Sequence, residues 1–576
     1  MTSSERLLRS CEAVTITSQS CPETAHAPPG ALITRLLNPG DVASILLLWG
    51  VVCLLFWNTL HAGEFWWTDE SRHAMNGVFF FDLWRDMPWR TPYEYALQYF
   101  AQYPALALNW YPPFFPVVES LFFAVFGITE FGARLTVLVF ILVGVTAWYA
   151  WAQPIWGRNA AILSCLLYLS APGIVDWTRS VMLEAPAIAM IIVSVMAFDR
   201  YLTRPSLTQA GLAGLFLGCM LLLKQTTVFI LPALLAYAWF TGRKSLLWRG
   251  QAAFAYGIVG MVAAVLAVHA LKFGSVPVNS LVDQFSSSNS QLFGLSRWIH
   301  FWSALWDVCG LPLVIAILIG TLGIRISKTP QDLLILFWLA ASCLFTTIVV
   351  GGAPGNVPRY TMYALPALTL LACRPLSQPL INSNIARAAL VLLATLASWN
   401  VYSAWAKPHP FVTGYRQAAE FVAHQEDTGL ILFAGKHDGN FIFHLRALDP
   451  EKNKAVLRAD KILVSMAVHK SFGMVSYAQS IEDVLGLIDR FGIGTIVIES
   501  RDIVDFPEFK LLAQTMDDHR FQMIKEIPIS TNVPEFSNLS VRVYRYLEKK
   551  EQEGDLVIPL PHSGMEIKLK PRTNLR

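Results

Sequence analysis

Asp41-Val-Ala-Ser-Ile-Leu-Leu-Leu-Trp-Gly-Val-Val-Cys-Leu-Leu-Phe-Trp-Asn-Thr-Leu60 is an apolar run, and the acidic, aromatic stretch Glu64-Phe-Trp-Trp-Thr-Asp-Glu-Ser-Arg-His73 follows it almost at once. A membrane-spanning helix needs about 20 mostly apolar residues, which the first run supplies. Similar runs recur through the chain of 576 residues, 54% apolar and 15% charged. Soluble domains carry roughly 25% charged residues, so this composition reads as a polytopic membrane protein and excludes a disordered or coiled-coil chain. The formal net charge is +3, from 44 Lys+Arg and 41 Asp+Glu, too even a balance for a nucleic-acid binder.

Candidate spans are 41–60, 132–152, 159–176, 183–202, 207–223, 226–241, 251–271, 301–323, 332–350, 361–373 and 387–406. The expectation is about eleven spans, with thirteen as an upper bound. Phe114 to Gly127 is also apolar, but it is short, begins behind Pro112 and Pro113 and carries Glu119, so it is read as a juxtamembrane helix. With residues 1–40 as a cytoplasmic tail, the inner loops carry Arg158; Arg200 and Arg204; Arg243, Lys244 and Arg249; Arg325 and Lys328; Arg374 and Arg387. That distribution satisfies the positive-inside bias and puts the loop 61–131 and everything after residue 406 on the exoplasmic side. The first run, behind a polar N-terminal stretch, reads as an uncleaved anchor.

From about Ala406 charges become frequent, and strand-like runs (Leu430 to Phe433, Thr495 to Ile498) alternate with helical ones (Tyr415 to His424, Ile481 to Phe491). Residues 407–548 read as an exoplasmic α/β domain and 549–576 as a polar tail. In the former, Lys436, His437, Asp438 and Arg446 cluster near a strand end and read as solvated loop charges. Asn538-Leu-Ser540 is a glycosylation sequon by pattern alone. Of eight cysteines, Cys11 and Cys21 lie in the N-terminal tail and the others in or beside apolar runs, with no CxxC or Cys/His spacing. They read as packing residues.

Charges beside apolar segments are costly without a partner or a watery cavity, and therefore informative. Four positions stand out, all on the exoplasmic side in this topology. They are Asp69-Glu70 after the first span; Glu184 in Asp176-Trp-Thr-Arg-Ser-Val-Met-Leu-Glu-Ala-Pro186; Lys224 between two apolar runs; and Arg359 with Tyr360 in Gly355-Asn-Val-Pro-Arg-Tyr360. Together with an aromatic loop that includes Trp66, Trp67, Trp110 and Tyr111, they describe a polar pocket at one membrane face.

In order along the chain, Asp69-Glu70, Trp110-Tyr-Pro-Pro-Phe-Phe with Phe126-Gly-Ile-Thr-Glu-Phe-Gly-Ala-Arg-Leu135, Met182-Leu-Glu-Ala-Pro186, Leu223-Lys-Gln-Thr226, and Arg359-Tyr360 with Pro366 resemble the landmarks of the GT-C glycosyltransferases. The resemblance covers residues 41–406 and lies nearest the branch of the protein mannosyltransferases and the aminoarabinose transferase that modifies lipid A. It implies a GT-C fold and transfer of a sugar from a polyprenyl-phosphate donor to an envelope lipid, glycan or protein, in the bacterial inner (plasma) membrane or its eukaryotic equivalent, the endoplasmic reticulum. Asp69 then corresponds to the catalytic acid, with Glu70 beside it and Glu184 as the second acidic residue. Lys224, Arg359 and Tyr360 correspond to donor-phosphate contacts, and Arg72, His73, Trp110, Tyr111 and Arg179 to sugar or acceptor contacts. Some relatives carry a Glu-Lys pair where this chain has Trp110 and Tyr111. A divalent ion (Mg, Mn or Zn) between Asp69 and Glu184 stays open at this stage, as do two other readings, a lipid-linked-sugar flippase and a non-catalytic envelope-assembly protein. A flippase would favour internal repeats and midplane charges; neither is evident.

Overall fold

A computed structural model describes residues 38–108, 110–273, 294–323, 329–350, 357–377, 384–426, 428–466, 474–500, 506–550, 556–560 and 565–569. Among them, seven helices are long and apolar enough to cross a membrane: Pro39–Phe56, Glu130–Trp156, Glu184–Thr203, Gly250–Leu271, Leu295–Thr321, Pro330–Val350 and Asn384–Ala406. The expected span 159–176 is a pair, Arg158–Leu169 and Pro172–Arg179, bent by 48° where Pro172 interrupts the backbone ladder. Leu207–Leu223 and Gln225–Phe240 are shorter apolar helices, and 361–373 is divided among Val357–Thr361, Met362–Ala364 and Leu365–Ala372. All eleven apolar segments are thus helical, but only seven, or eight with the bent pair, meet the length of a full span. Phe114–Phe126, with 13 residues, is too short to cross.

Helix Glu184–Thr203 is the centre of the bundle, with 89% of its apolar window buried against 11% for Gly250–Leu271 and 22% for Asn384–Ala406. Small residues allow this packing, because lipid chains are as apolar as leucine and helices associate by close fit. A Cβ on Gly144 of helix Glu130–Trp156 would stand 2.7 Å from the Ala189 Cβ on the central helix. Charges expected in inner loops are not all solvated: Arg374 is buried, its Nε and Nη2 donating to Asp332 Oδ1 and Oδ2 at 2.9 and 2.8 Å. Arg325 and Lys328 lie outside the described residues, as do Cys11 and Cys21. The remaining six cysteines are free thiols.

The first loop folds into helices Thr68–Asp86, Pro92–Gln102 and Phe114–Phe126. The last of these lies against Thr68–Asp86 through Glu119 and Gly77, where a Cβ on Gly77 would come within 2.8 Å of the Glu119 carboxyl carbon. Glu119 is buried, and neither carboxylate oxygen has a hydrogen-bond partner among the described residues. Burial alone raises its pKa well above the ordinary carboxylate value. The folded state therefore keeps a proton that the unfolded chain releases near pH 4.5, and stability falls as pH rises through that value toward the raised folded one. In Glu119→Gln, which cannot ionise, a pH series of thermal melts should show this fall removed.

Residues after Ala406 form the expected α/β domain. Its five-stranded sheet has the order Val456–Arg458, Leu430–Ala434, Ile493–Glu499, Ser540–Tyr546 and Phe521–Pro528. The first three strands run parallel, in register at Leu432 with Leu457 and Ile496, and the last two pair antiparallel. Helix Ile481–Phe491 starts at a Ser480–Asp483 capping box and stops at Gly492 in the left-handed conformation (φ 61°). Its Val484 and Ile488 join Leu432, Leu457 and Ile496 in the core. Residues 549–576, expected as a tail, contain an antiparallel hairpin, Leu556–Leu560 with Met565–Leu569.

Candidate active site

Asp69 sits in the first turn of helix Thr68–Asp86, after Trp67 in extended conformation. Its neighbour Glu70 points inward and is fully buried. Glu70 Oε1 accepts the Trp67 N–H at 3.2 Å, and Oε2 accepts the Val181 N–H at 2.8 Å. Burial raises the Glu70 pKa, opposed by the Arg134 charge and these N–H donors. The acidic pair thus divides: Glu70 pins the helix start to the segment before Glu184, and Asp69, with its side chain 30% exposed, is the carboxylate a substrate can reach.

Three charged groups from distant parts of the chain meet beside it. Glu184, fully buried at the first turn of the central helix, accepts Lys224 Nζ and Arg359 Nε (2.6 Å) on the same oxygen, Oε1. Arg359 Nη1 continues to Asp69 Oδ2 at 3.2 Å. Lys224 reaches this position because the chain leaves the helix at Leu223 and passes through an extended residue (φ −154°, ψ 114°) before the next turn. The sequence Leu-Lys-Gln-Thr breaks two apolar helices apart and delivers the ammonium at the break. The quartet carries two negative and two positive charges, so it is electroneutral, as burial at an apolar boundary demands.

Aromatic rings enclose the cations. Tyr360 lies under Lys224 Nζ at 5.0 Å and under the Arg359 guanidinium at 5.8 Å, and Trp177 faces Arg359 from 5.7 Å. One turn after Asp69, His73 is 1% exposed and edge-on to the Tyr111 ring at 4.5 Å. Its Nε2 has no hydrogen-bond partner among the described residues. Burial pushes the His73 pKa down to about 4, against the attraction of Asp69 and Glu184. The imidazole is therefore neutral above that pH, and the pH–rate profile of turnover should show no His73 inflection near its ordinary value of 6.5. His73→Gln should keep the profile's shape and lower the rate about threefold to tenfold, the worth of one hydrogen bond from the unpartnered Nε2 to a bound substrate. Trp110 contributes its carbonyl, which accepts Gln225 Nε2 at 2.7 Å.

Two of the expected contacts go elsewhere. Arg179 is buried and donates to the Ala404 and Lys407 carbonyls at 3.2 Å, so it fastens the end of the last span. Arg72 donates to the Thr68 carbonyl and pairs with Asp438 of the α/β domain at 3.3 Å. Of the α/β cluster, Lys436 is exposed as expected, but His437, Asp438 and Arg446 are not solvated, at 2%, 4% and 1% exposed. Trp177 and Gln225 belong to the site although the sequence did not single them out; their adjacency to Glu184 and Lys224 was the available signal. Among the described residues no group of three or more His, Cys, Asp or Glu side chains could hold a metal. Glu184 already serves an ammonium and a guanidinium, and Asp69 faces that guanidinium, so this donor set does not fit a divalent ion between them.

The fold has solved counterparts. The structure of ArnT from Cupriavidus metallidurans in the apo state superposes with a TM-score of 0.58 at 16% identity, over 89% of this chain and 100% of that one. ArnT bound to undecaprenyl phosphate gives 0.57 at 15% identity, over 91% and 100%. This chain shares their fold. A further structure, that of the arabinofuranosyltransferase AftD from Mycobacteria, matches at 0.52 and 13% identity, over 89% of this chain and 40% of that one. The family signature of dolichyl-phosphate-mannose-protein mannosyltransferases matches residues 111–270, a stretch that holds Glu184 and Lys224 but neither Asp69 nor Arg359. No curated protein sequence matches.

Proposed function

We propose that this GT-C chain is a membrane glycosyltransferase that moves a sugar from a polyprenyl-phosphate carrier to an acceptor hydroxyl at the exoplasmic face, without a metal. The observation that carries the reading is the contact between the partly exposed Asp69 carboxylate and the Arg359 guanidinium, 3.2 Å apart. A base for the acceptor and a cation for the leaving phosphate stand side by side there. The acceptor oxygen attacks the anomeric carbon as its proton passes to Asp69. The bond from the anomeric carbon to the phosphate oxygen breaks, and its electron pair leaves with the carrier phosphate. Arg359 presents a fork matched to phosphate oxygens and Lys224 a compact point charge, so the growing negative charge meets two cations already in place. Glu184 fixes both, Tyr360 walls the phosphate position, and Glu70 holds Asp69 at the head of its helix. His73, Trp110 and Tyr111 line the adjacent space for sugar or acceptor.

This reading places the protein in the bacterial inner membrane with its N-terminus in the cytoplasm and the α/β domain in the periplasm. The acceptor is an envelope lipid, glycan or protein. The test is release of label from a radiolabelled membrane pool of polyprenyl-phosphate sugars by the purified full-length protein, with and without chelator. Label should leave the carrier at the same rate under both conditions. Label that stays on the carrier but changes leaflet in vesicles would identify a flippase instead.

A further inference from the structure

The charged cluster of the α/β domain, which contributes nothing to the reacting quartet, instead grips the helix that carries Asp69. We propose that the α/β domain is a positioning device for that helix, with its own helix Asp438–Leu448 as the clamp. The proposal rests on the reading of Asp69 as the base.

The clamp holds its target at both ends. At its start, His437 Nε2 donates to the Trp66 carbonyl at 3.2 Å and Asn440 Nδ2 to the Phe65 carbonyl at 2.8 Å. Asp438 accepts Arg72 at 3.3 Å. At its end, Arg446 Nε donates to Asp82 Oδ2 at 2.8 Å and Nη2 to Oδ1, a two-point pair that is buried on both sides. The points held on the chain, Phe65 to Arg72 and then Asp82, bracket Asp69 and most of its helix. Two anchor points that far apart fix a rigid helix against both sliding and rolling.

The clamp is itself rooted in the sheet. Glu499, at the end of strand Ile493–Glu499, accepts the Lys436 N–H at 3.0 Å, the His437 N–H at 2.8 Å and the Tyr415 hydroxyl at 2.9 Å. The turn that starts the clamp therefore cannot swing independently of the domain. Between the anchors the two helices touch with no spare room. Gly439 lies on Ser71, and a Cβ on Gly439 would stand 2.8 Å from the Ser71 Cβ, well inside van der Waals contact. Ser71 is two residues from Asp69, so a displacement here reaches the carboxylate directly. A mispositioning of about 1 Å costs roughly 10²-fold in rate when base and substrate must meet in one geometry.

Simple adhesion between two domains would use the same contacts but predicts a different response. Weakened adhesion lowers stability and carries activity down with it, whereas a shifted clamp lowers kcat in a protein that is folded and still binds its carrier. The test is Gly439→Ala in the full-length protein, compared with wild type, Asp69→Asn and the double variant Ser71→Gly/Gly439→Ala. The readouts are kcat and KM for label release from the polyprenyl-phosphate sugar pool, and Kd for undecaprenyl phosphate. We expect Gly439→Ala to lower kcat about tenfold or more, with KM and Kd within about twofold, and Ser71→Gly to restore most of the loss by vacating the space. Should Gly439→Ala not accumulate, Asp438→Asn, which weakens the pairs with Arg72 and Arg458 without adding volume, should lower kcat with the same unchanged Kd. Wild-type kcat in the variants, or a loss that tracks Kd and is not restored by Ser71→Gly, overturns the clamp. An active Asp69→Asn protein overturns the reading of the base instead.

Discussion

Asp69→Asn should reduce label release by about 10²- to 10⁴-fold, the range that positioned general bases contribute, while the protein accumulates and melts as the wild type does. The substitution keeps size and shape and removes only proton affinity and charge. Because Asp69 is 30% exposed and shares its ion pair with a guanidinium that Glu184 also holds, its removal leaves no buried charge unpaired. Undecaprenyl phosphate should bind at least as tightly to the variant, since a negative charge beside the phosphate position is gone while Arg359 and Lys224 remain. Lost turnover with retained carrier binding separates a base from a binding residue.

Glu184→Gln should act on the fold first. Glu184 Oε1 is the shared acceptor of Lys224 and Arg359, both buried. Without its charge two cations face each other across an apolar boundary, with Asp69 as the remaining anion of the quartet. Breaking one side of a buried ion pair costs about 3–5 kcal/mol, so the melting temperature in detergent should fall sharply and less protein should accumulate. Undecaprenyl phosphate should recover part of the loss, because its phosphate supplies the missing negative charge to the same two cations. Asp69→Asn should show neither the loss nor the recovery. That contrast distinguishes the carboxylate that organises the cations from the one that takes the proton.

The quartet was legible in the sequence because charge is rare beside apolar runs, and Asp69, Glu184, Lys224 and Arg359 each break one. The assignments that moved were those whose partners lie hundreds of residues away. Arg72 and Arg179 looked like pocket residues by proximity to Asp69 and Glu184, yet Asp438 and the Ala404 and Lys407 carbonyls claim them. Asp438 and Arg446 looked solvated because no sequence neighbour neutralises them; Asp438 pairs with Arg72 of the first loop and with Arg458, and Arg446 pairs with Asp82 of the first loop. Glu70 is a helix-start residue without the Ser or Thr that would have marked a capping box, so its inward orientation was not visible. Hydropathy also ignores backbone breaks, so the expected spans 159–176 and 361–373 are divided helices, broken at Pro172 and within 361–373. The hairpin after residue 549 had a readable signal, the alternation in Met565-Glu-Ile-Lys-Leu569, which the charged surroundings obscured.

The proposed turnover is a single displacement at the anomeric carbon, driven by Asp69 as base and released onto a phosphate held by Arg359 and Lys224. It is tested most directly by the anomeric configuration of the transferred sugar, read by NMR on product made from a polyprenyl-phosphate sugar of known anomer. One attack from the side opposite the leaving phosphate gives the inverted anomer, which is the expected product. A retained configuration would require two displacements through a covalent sugar–enzyme intermediate, and would contradict the role assigned to Asp69.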